Sequence, residues 1–63
     1  MTTKEVCLEY IEKEIESLEN RMNTITIKSL IGDWSKENKV AQLSDVIRAS
    51  IQTIEYWERS MPE

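Results

Sequence analysis

Along the first third of the chain apolar residues recur at Leu8, Ile11, Ile15, Leu18, Met22 and Ile25, in alternating steps of three and four. Steps of that size carry side chains onto one stripe of an α-helix, and so regular a stripe is the seam of a helix that packs on another. Thr2, with Glu5 three positions on, fits a capping box and sets the start of helix 1 near Thr3. Its end is expected around Asn20 to Asn23, where a Thr-Ile-Thr-Ile alternation follows. That tetrad has the period of a strand, but no second alternating segment exists to pair with it. A turn is the better reading, with Thr24 or Thr26 capping a short helix 2 whose apolar positions are Ile27, Leu30, Ile31 and Trp34. Gly32 weakens such a helix by roughly 1 kcal/mol relative to alanine, unless it lets another backbone come close or ends the helix early.

Ser35 to Lys39 is the most polar stretch and reads as the connection or a frayed helix end. Beyond it, Val40, Leu43, Ile47, Ile54, Trp57 and Met61 form a third seam, interrupted by Ser50 and widened by Val46 and Ile51. This helix 3 starts either near Glu37 or late, with Ser44 as its cap, and Pro62 stops it. No repeat, low-complexity tract or Gly/Pro-rich linker divides the chain, so residues 1–63 are expected to form a single helical domain. The predicted fold is all-α, a small three-helix domain of long, short and long helices with helices 1 and 3 antiparallel.

Size changes the picture. A monomer of 63 residues buries only about 60% of the surface its unfolded chain exposes, and chains this small usually need a disulfide, a metal or a second subunit. Cys7 is the single cysteine and there is no histidine, which excludes an intrachain disulfide and leaves zinc without a ligand set. Both long seams are wider than a two-helix contact requires, so a homodimer with a four-helix-like core is expected. Its seam would comprise Leu8, Ile11, Ile15, Leu18, Met22, Ile47, Ile54 and Trp57. No apolar run approaches the roughly 18 residues of a membrane span, and with a lone cysteine and no basic-then-apolar leader the expectation is a cytoplasmic protein.

Charge adds a second feature. Glu5, Glu9, Glu12, Glu16 and Glu19 run in steps of four and three beside the apolar seam, with no basic residue on the stripe. Like charges one turn apart cost about 0.2–0.5 kcal/mol per pair, so the stripe does not help the helix locally. Glu9 placed four before Lys13 offers one favourable pair. The bland reading is a solvated face; the sharper one is a docking surface for a protein with a basic surface, or a mimic of nucleic-acid phosphate. The net charge of −4 argues against direct binding of nucleic acid.

Candidate chemistry is sparse. Without histidine the commonest general base is missing, and the carboxylates lie on helix faces rather than in an evident cleft, so no catalytic residue, metal site, cofactor or small-molecule substrate is expected. Asp33 and Glu37 are read as surface groups. Cys7, between Val6 and Leu8, is read as a packing cysteine rather than a redox sensor. Among the large aromatics, Trp57 lies on the seam and Tyr56 at its edge. Trp34, beside Gly32 and Asp33, is the aromatic that could touch another chain.

At Asn23 to Ile31 (NTITIKSLI) and Asp45 to Arg48 (DVIR) the chain resembles the small enterobacterial biofilm-development regulators of the YmgB/AriR type, grouped with two-component-system connector proteins. Leu8, Ile15, Met22 and Asn23 fit that family's first helix and turn, Ser29, Leu30 and Ile31 its triplet, and Asp45 to Arg48 the opening of its last helix. The resemblance implies a bacterial, all-helical homodimer that modulates a signalling or transcription pathway by binding proteins, without an enzymatic step. The DNA binding proposed within that family is at odds with the acidic stripe. Sporulation-type aspartyl-phosphate phosphatases, short two-helix proteins with a Ser-Gln-x-Leu-Asp motif, do not fit. Ser50-Ile51-Gln52-Thr53-Ile54 lacks the aspartate, and the intervening segment reads as too long. The function expected is that of a small acidic regulator acting through protein contacts, the alternative being a phage-type inhibitor that mimics nucleic acid with helix 1.

Overall fold

The computed structural model describes residues 3–62, and the proposed capping residue Thr2 lies outside them. The described residues fold into two helices, not three: α1 (Thr3–Ile31) and α2 (Lys36–Ser60). They pack as an antiparallel hairpin whose Cα trace spans 46 × 16 × 9 Å, a single layer of helix. The short second helix and the turn at Asn20 to Asn23 do not exist. The chain continues through that region as α1, and the hydroxyls that suggested caps are absorbed by it. Thr24 Oγ1 donates to the Asn20 carbonyl and Thr26 Oγ1 to the Met22 carbonyl, both at 2.9 Å. Such bonds one turn back satisfy threonine inside a helix. Half-burial of Ile25 and Thr26 and full burial of Ser29 give the segment a packing face that outweighs its modest helix propensity.

Four residues, Gly32 to Ser35, make the connection. The Gly32 amide bonds the Lys28 carbonyl at 2.8 Å and the Trp34 amide the Ser29 carbonyl at 3.0 Å. The second is the long-range bond of a Schellman-type stop, and Asp33 supplies the left-handed residue at φ 51°. Gly32 therefore ends a helix rather than weakening one. Its nearest neighbour is a side chain rather than another backbone: a Cβ at position 32 would lie 2.8 Å from Trp34 Nε1. Ser35 then caps α2, its Oγ accepting from the Asn38 amide at 3.1 Å. This fixes the start of the last helix at Lys36, close to the early alternative and eight residues before Ser44. Met61 caps the far end, where its amide reaches the Glu58 carbonyl, and Pro62 follows. With the connection this short, the contrast with the two-helix phosphatases rests on the missing aspartate alone.

The buried line between the helices is narrow and made of small residues. Among the described residues Cys7, Ser29 and Ser50 are the buried ones, and Cys7 is the sole hydrophobic residue in that class. Around them stand the half-buried Ile11, Glu14, Leu18, Met22 and Ile25 of α1 and Leu43, Val46, Ile47, Ile54 and Trp57 of α2. Small side chains on the line of contact let helix axes approach closely, while the large ones lie to either side.

Candidate functional site

Each residue of a right-handed helix turns 100° from the last, and an antiparallel partner reverses the sense. Residues one step beyond the inward line therefore reach the same broad face of the hairpin from both helices. From α1 these are Leu8 after Cys7 and Ile15 after Glu14; from α2 they are Val40, Ile47 and Ile51, the last directly after Ser50. All are aliphatic. Leu8 and Ile15 are 43% exposed, Ile51 45% and Val40 61%. The expected seam is thus divided. Ile11, Leu18 and Met22 on α1, with Ile47, Ile54 and Trp57 on α2, lie at or beside the helix joint, whereas Leu8 and Ile15 have swung out onto an open face.

The opposite broad face shows why. There the Tyr10 ring stacks on Trp57 with centroids 4.5 Å apart and planes 10° from parallel, and Tyr56 meets Trp57 edge-on at 5.1 Å. Further along, Arg21 Nη2 donates to Glu14 Oε1 at 2.9 Å and to Ser50 Oγ at 3.3 Å, bridging the helices. These contacts hold α1 turned toward Tyr10 and Arg21, which moves Leu8 and Ile15 away from α2. Lys13 follows the same face: its Nζ lies 5.9 Å from the centre of the Tyr10 ring. Among the described residues it forms no ion pair with Glu9, contrary to the sequence expectation. Sequence patterning overlooked the Tyr10 stack and the Glu14–Arg21–Ser50 bridge. The available signals were a serine interrupting an apolar seam and an arginine seven residues after a glutamate.

The acidic stripe is where its spacing put it. Glu5, Glu9, Glu12, Glu16 and Glu19 are all exposed along the outer flank of α1. Glu12 and Glu19 stand one turn beyond Leu8 and Ile15, so the stripe borders the aliphatic face. Trp34 is half-buried, folded back over Gly32 at the tip. The neighbouring Leu30 and Ile31 are 75% and 83% exposed and make the turn the most openly apolar end of the molecule. Cys7 is 2% exposed, which shields its thiol and suits the packing role.

The described residues enclose no pocket, and no group of three or more carboxylate or thiol side chains among them is placed to hold a metal ion. No described helix is long and apolar enough to cross a membrane. What the molecule offers is surface, in three parts: a broad aliphatic face, an acidic flank beside it and an apolar tip. In fold the chain is an all-α antiparallel helical hairpin. It matches no family model, no curated protein and no solved structure.

Proposed function

We propose that this chain is a small non-enzymatic regulatory protein that works by binding other proteins and does so as a homodimer. The observation that carries the reading is the misplacement of its apolar bulk, since Cys7 alone of the described hydrophobic residues is buried while Leu8, Ile15, Val40 and Ile51 face solvent. A contiguous aliphatic face is the mark of a protein–protein contact. The resemblance to YmgB/AriR-type regulators supports a connector role in a bacterial signalling or transcription pathway, in the cytoplasm. Glu5, Glu9, Glu12, Glu16 and Glu19 are the proposed contact for a partner with a basic surface, and Trp34 at the tip is a further contact. Light scattering after size exclusion at micromolar concentration should give twice the chain mass; a stable, folded monomer removes the homodimer.

The second reading is a phage-type inhibitor that presents the acidic flank of α1 as a mimic of nucleic-acid phosphate. The exposure of all five glutamates on one flank without an interspersed cation favours it. Affinity capture from the source cells, followed by mass spectrometry, supplies the partner for both readings. The mimic requires that replacing Glu9, Glu12 and Glu16 by Gln, or raising salt moderately, abolishes capture. Capture that survives both moves the contact to the tip.

A further inference from the structure

Neither the helix joint nor the broad aliphatic face accounts for the last two turns of α1. Ser29 is buried and marks the direction in which α1 meets α2. Ile27 and Ile31, two residues to either side of it, stand about 160° around the helix from that direction. They point away from α2 with 56% and 83% of their surface exposed, and Leu30 beside them is 75% exposed. Leu8 and Ile15 lie roughly 100° or more around the helix from both, so a second copy seated on the aliphatic face leaves this patch open. Neighbouring aliphatic side chains held in water mark a contact of their own.

What lies in line with the patch says what covers it. Ile27 follows Glu9, and Leu30 follows Glu12, by eighteen residues, which is five whole turns and about 27 Å along the axis. The patch therefore lies directly down the helix from the acidic stripe. Arg21, the one cation in the interval between them, turns instead to Glu14 and Ser50. Glu9, Glu12, Glu16 and Glu19 make no ion pair among the described residues. The outer flank of α1 thus runs from a row of unneutralised carboxylates to a cluster of uncovered aliphatic side chains. A purely basic surface leaves the cluster in water, and a purely apolar one strips water from carboxylates it cannot pair. An anionic lipid surface is repelled by the row. An occupant must carry cations and an apolar group in the same line, and a helix repeats its side chains at the 5.4 Å interval of the stripe. An extended strand, at about 6.6–6.8 Å between residues on one face, falls out of step.

We infer that the outer flank of α1 binds an amphipathic helix of a partner protein, whose Lys or Arg side chains meet Glu9, Glu12, Glu16 and Glu19 while an apolar cluster at one of its ends covers Ile27, Leu30 and Ile31. The site rests on the protein-binding function proposed above and supplies the chemistry of the partner. The probes are two dye-labelled helical peptides of about 24 residues, long enough to span Glu9 to Ile31. Each carries four arginines one turn apart and three leucines, at the N-terminal end in one and the C-terminal end in the other, so that both directions along α1 are covered. Fluorescence anisotropy against the full chain should show one of them binding, more weakly as salt rises. Ile27→Gln with Ile31→Gln should weaken binding about tenfold or more at every salt concentration; both positions are exposed and glutamine is at least as good a helix former as isoleucine, so circular dichroism should show the fold intact. Replacing Glu9, Glu12 and Glu16 by Gln should weaken it most at low salt. Equal binding by a peptide whose leucines are replaced by glutamine, or no loss in the Ile27, Ile31 variant, overturns the inference and leaves charge-led protein binding standing. Binding by neither peptide overturns it, as does adsorption to phosphatidylcholine vesicles that the Ile27, Ile31 variant loses, which makes the patch a lipid contact. Chain mass in light scattering is read separately, so a monomer removes the homodimer without touching this site.

Discussion

On one broad face of the hairpin Trp57 is flanked by Tyr10 and Tyr56 and the helices are bridged by Arg21; on the other, Ile15 and Ile51 leave nearly half of their surface to solvent. Stacked rings and a charge-assisted bridge are contacts a two-helix molecule can complete by itself, because each needs one partner from each helix. Burial of an isoleucine needs neighbours on several sides, and a layer one helix thick cannot provide them. The first face thus secures the hairpin, and the second holds apolar surface that the hairpin leaves uncovered. The acidic flank belongs with the second face by position, since Glu12 and Glu19 line its rim.

The strongest way to break this comparison is to make the open face polar. Ile15→Ser with Ile51→Ser removes four aliphatic side chains from the proposed joint, two from each copy; a side chain of this size is worth about 1.5 kcal/mol or more when fully covered, of which association supplies only the part that the 43% and 45% exposure leaves open. The dimer dissociation constant should then rise on the order of a hundred-fold, read by sedimentation equilibrium. Melting temperature should also lose its dependence on protein concentration. If the pair changes neither quantity, the face is idle.

Trp57→Ala tests the other side. It deletes the Tyr10 stack and the Tyr56 edge contact. Because Trp57 is half-buried, the cost should fall below that of a fully buried tryptophan, at about 2 kcal/mol of hairpin stability. Urea unfolding followed by circular dichroism reads this directly. The comparison predicts that the loss persists in the Ile15→Ser, Ile51→Ser background, where folding no longer draws on association. A Trp57→Ala loss that vanishes there would mean that the aromatic face, too, acts through the dimer.

How much of this was legible in the sequence divides along the same line. The period of three and four in Leu8 to Ile25 and in Val40 to Met61 announces two long helices, and the spacing of the glutamates places them on one flank. The helix boundary between them is not legible locally because Asn23 to Ile27 has weak local helix propensity. What keeps that segment helical is the burial of Ile25 and Ser29 against a helix that starts at Lys36, information held elsewhere in the chain. The inward line was likewise displaced by one residue, from Leu8 to Cys7 and from Ile15 to Glu14. Hydrophobicity alone ranks leucine and isoleucine above cysteine and glutamate, and cannot register that Tyr10 and Arg21 have partners across the joint.

The smallest expected effect lies in the turn, which holds both faces in register and belongs to neither. Asp33 carries φ 51°, a left-handed conformation that costs a residue with a Cβ roughly 1 kcal/mol and glycine very little. Aspartate tolerates it better than most residues, so part of that cost is already offset. Glycine also gains freedom in the unfolded chain, which works in the opposite direction. The balance for Asp33→Gly is a gain of at most about 0.5 kcal/mol in hairpin stability, visible as a small rise in the urea midpoint at unchanged slope. Because residue 33 lies off the aliphatic face, the dimer dissociation constant should not improve beyond what the added folding stability contributes. A larger improvement would place the turn inside the interface, as it would be if Leu30 and Ile31 rather than Leu8 and Ile15 met the second copy.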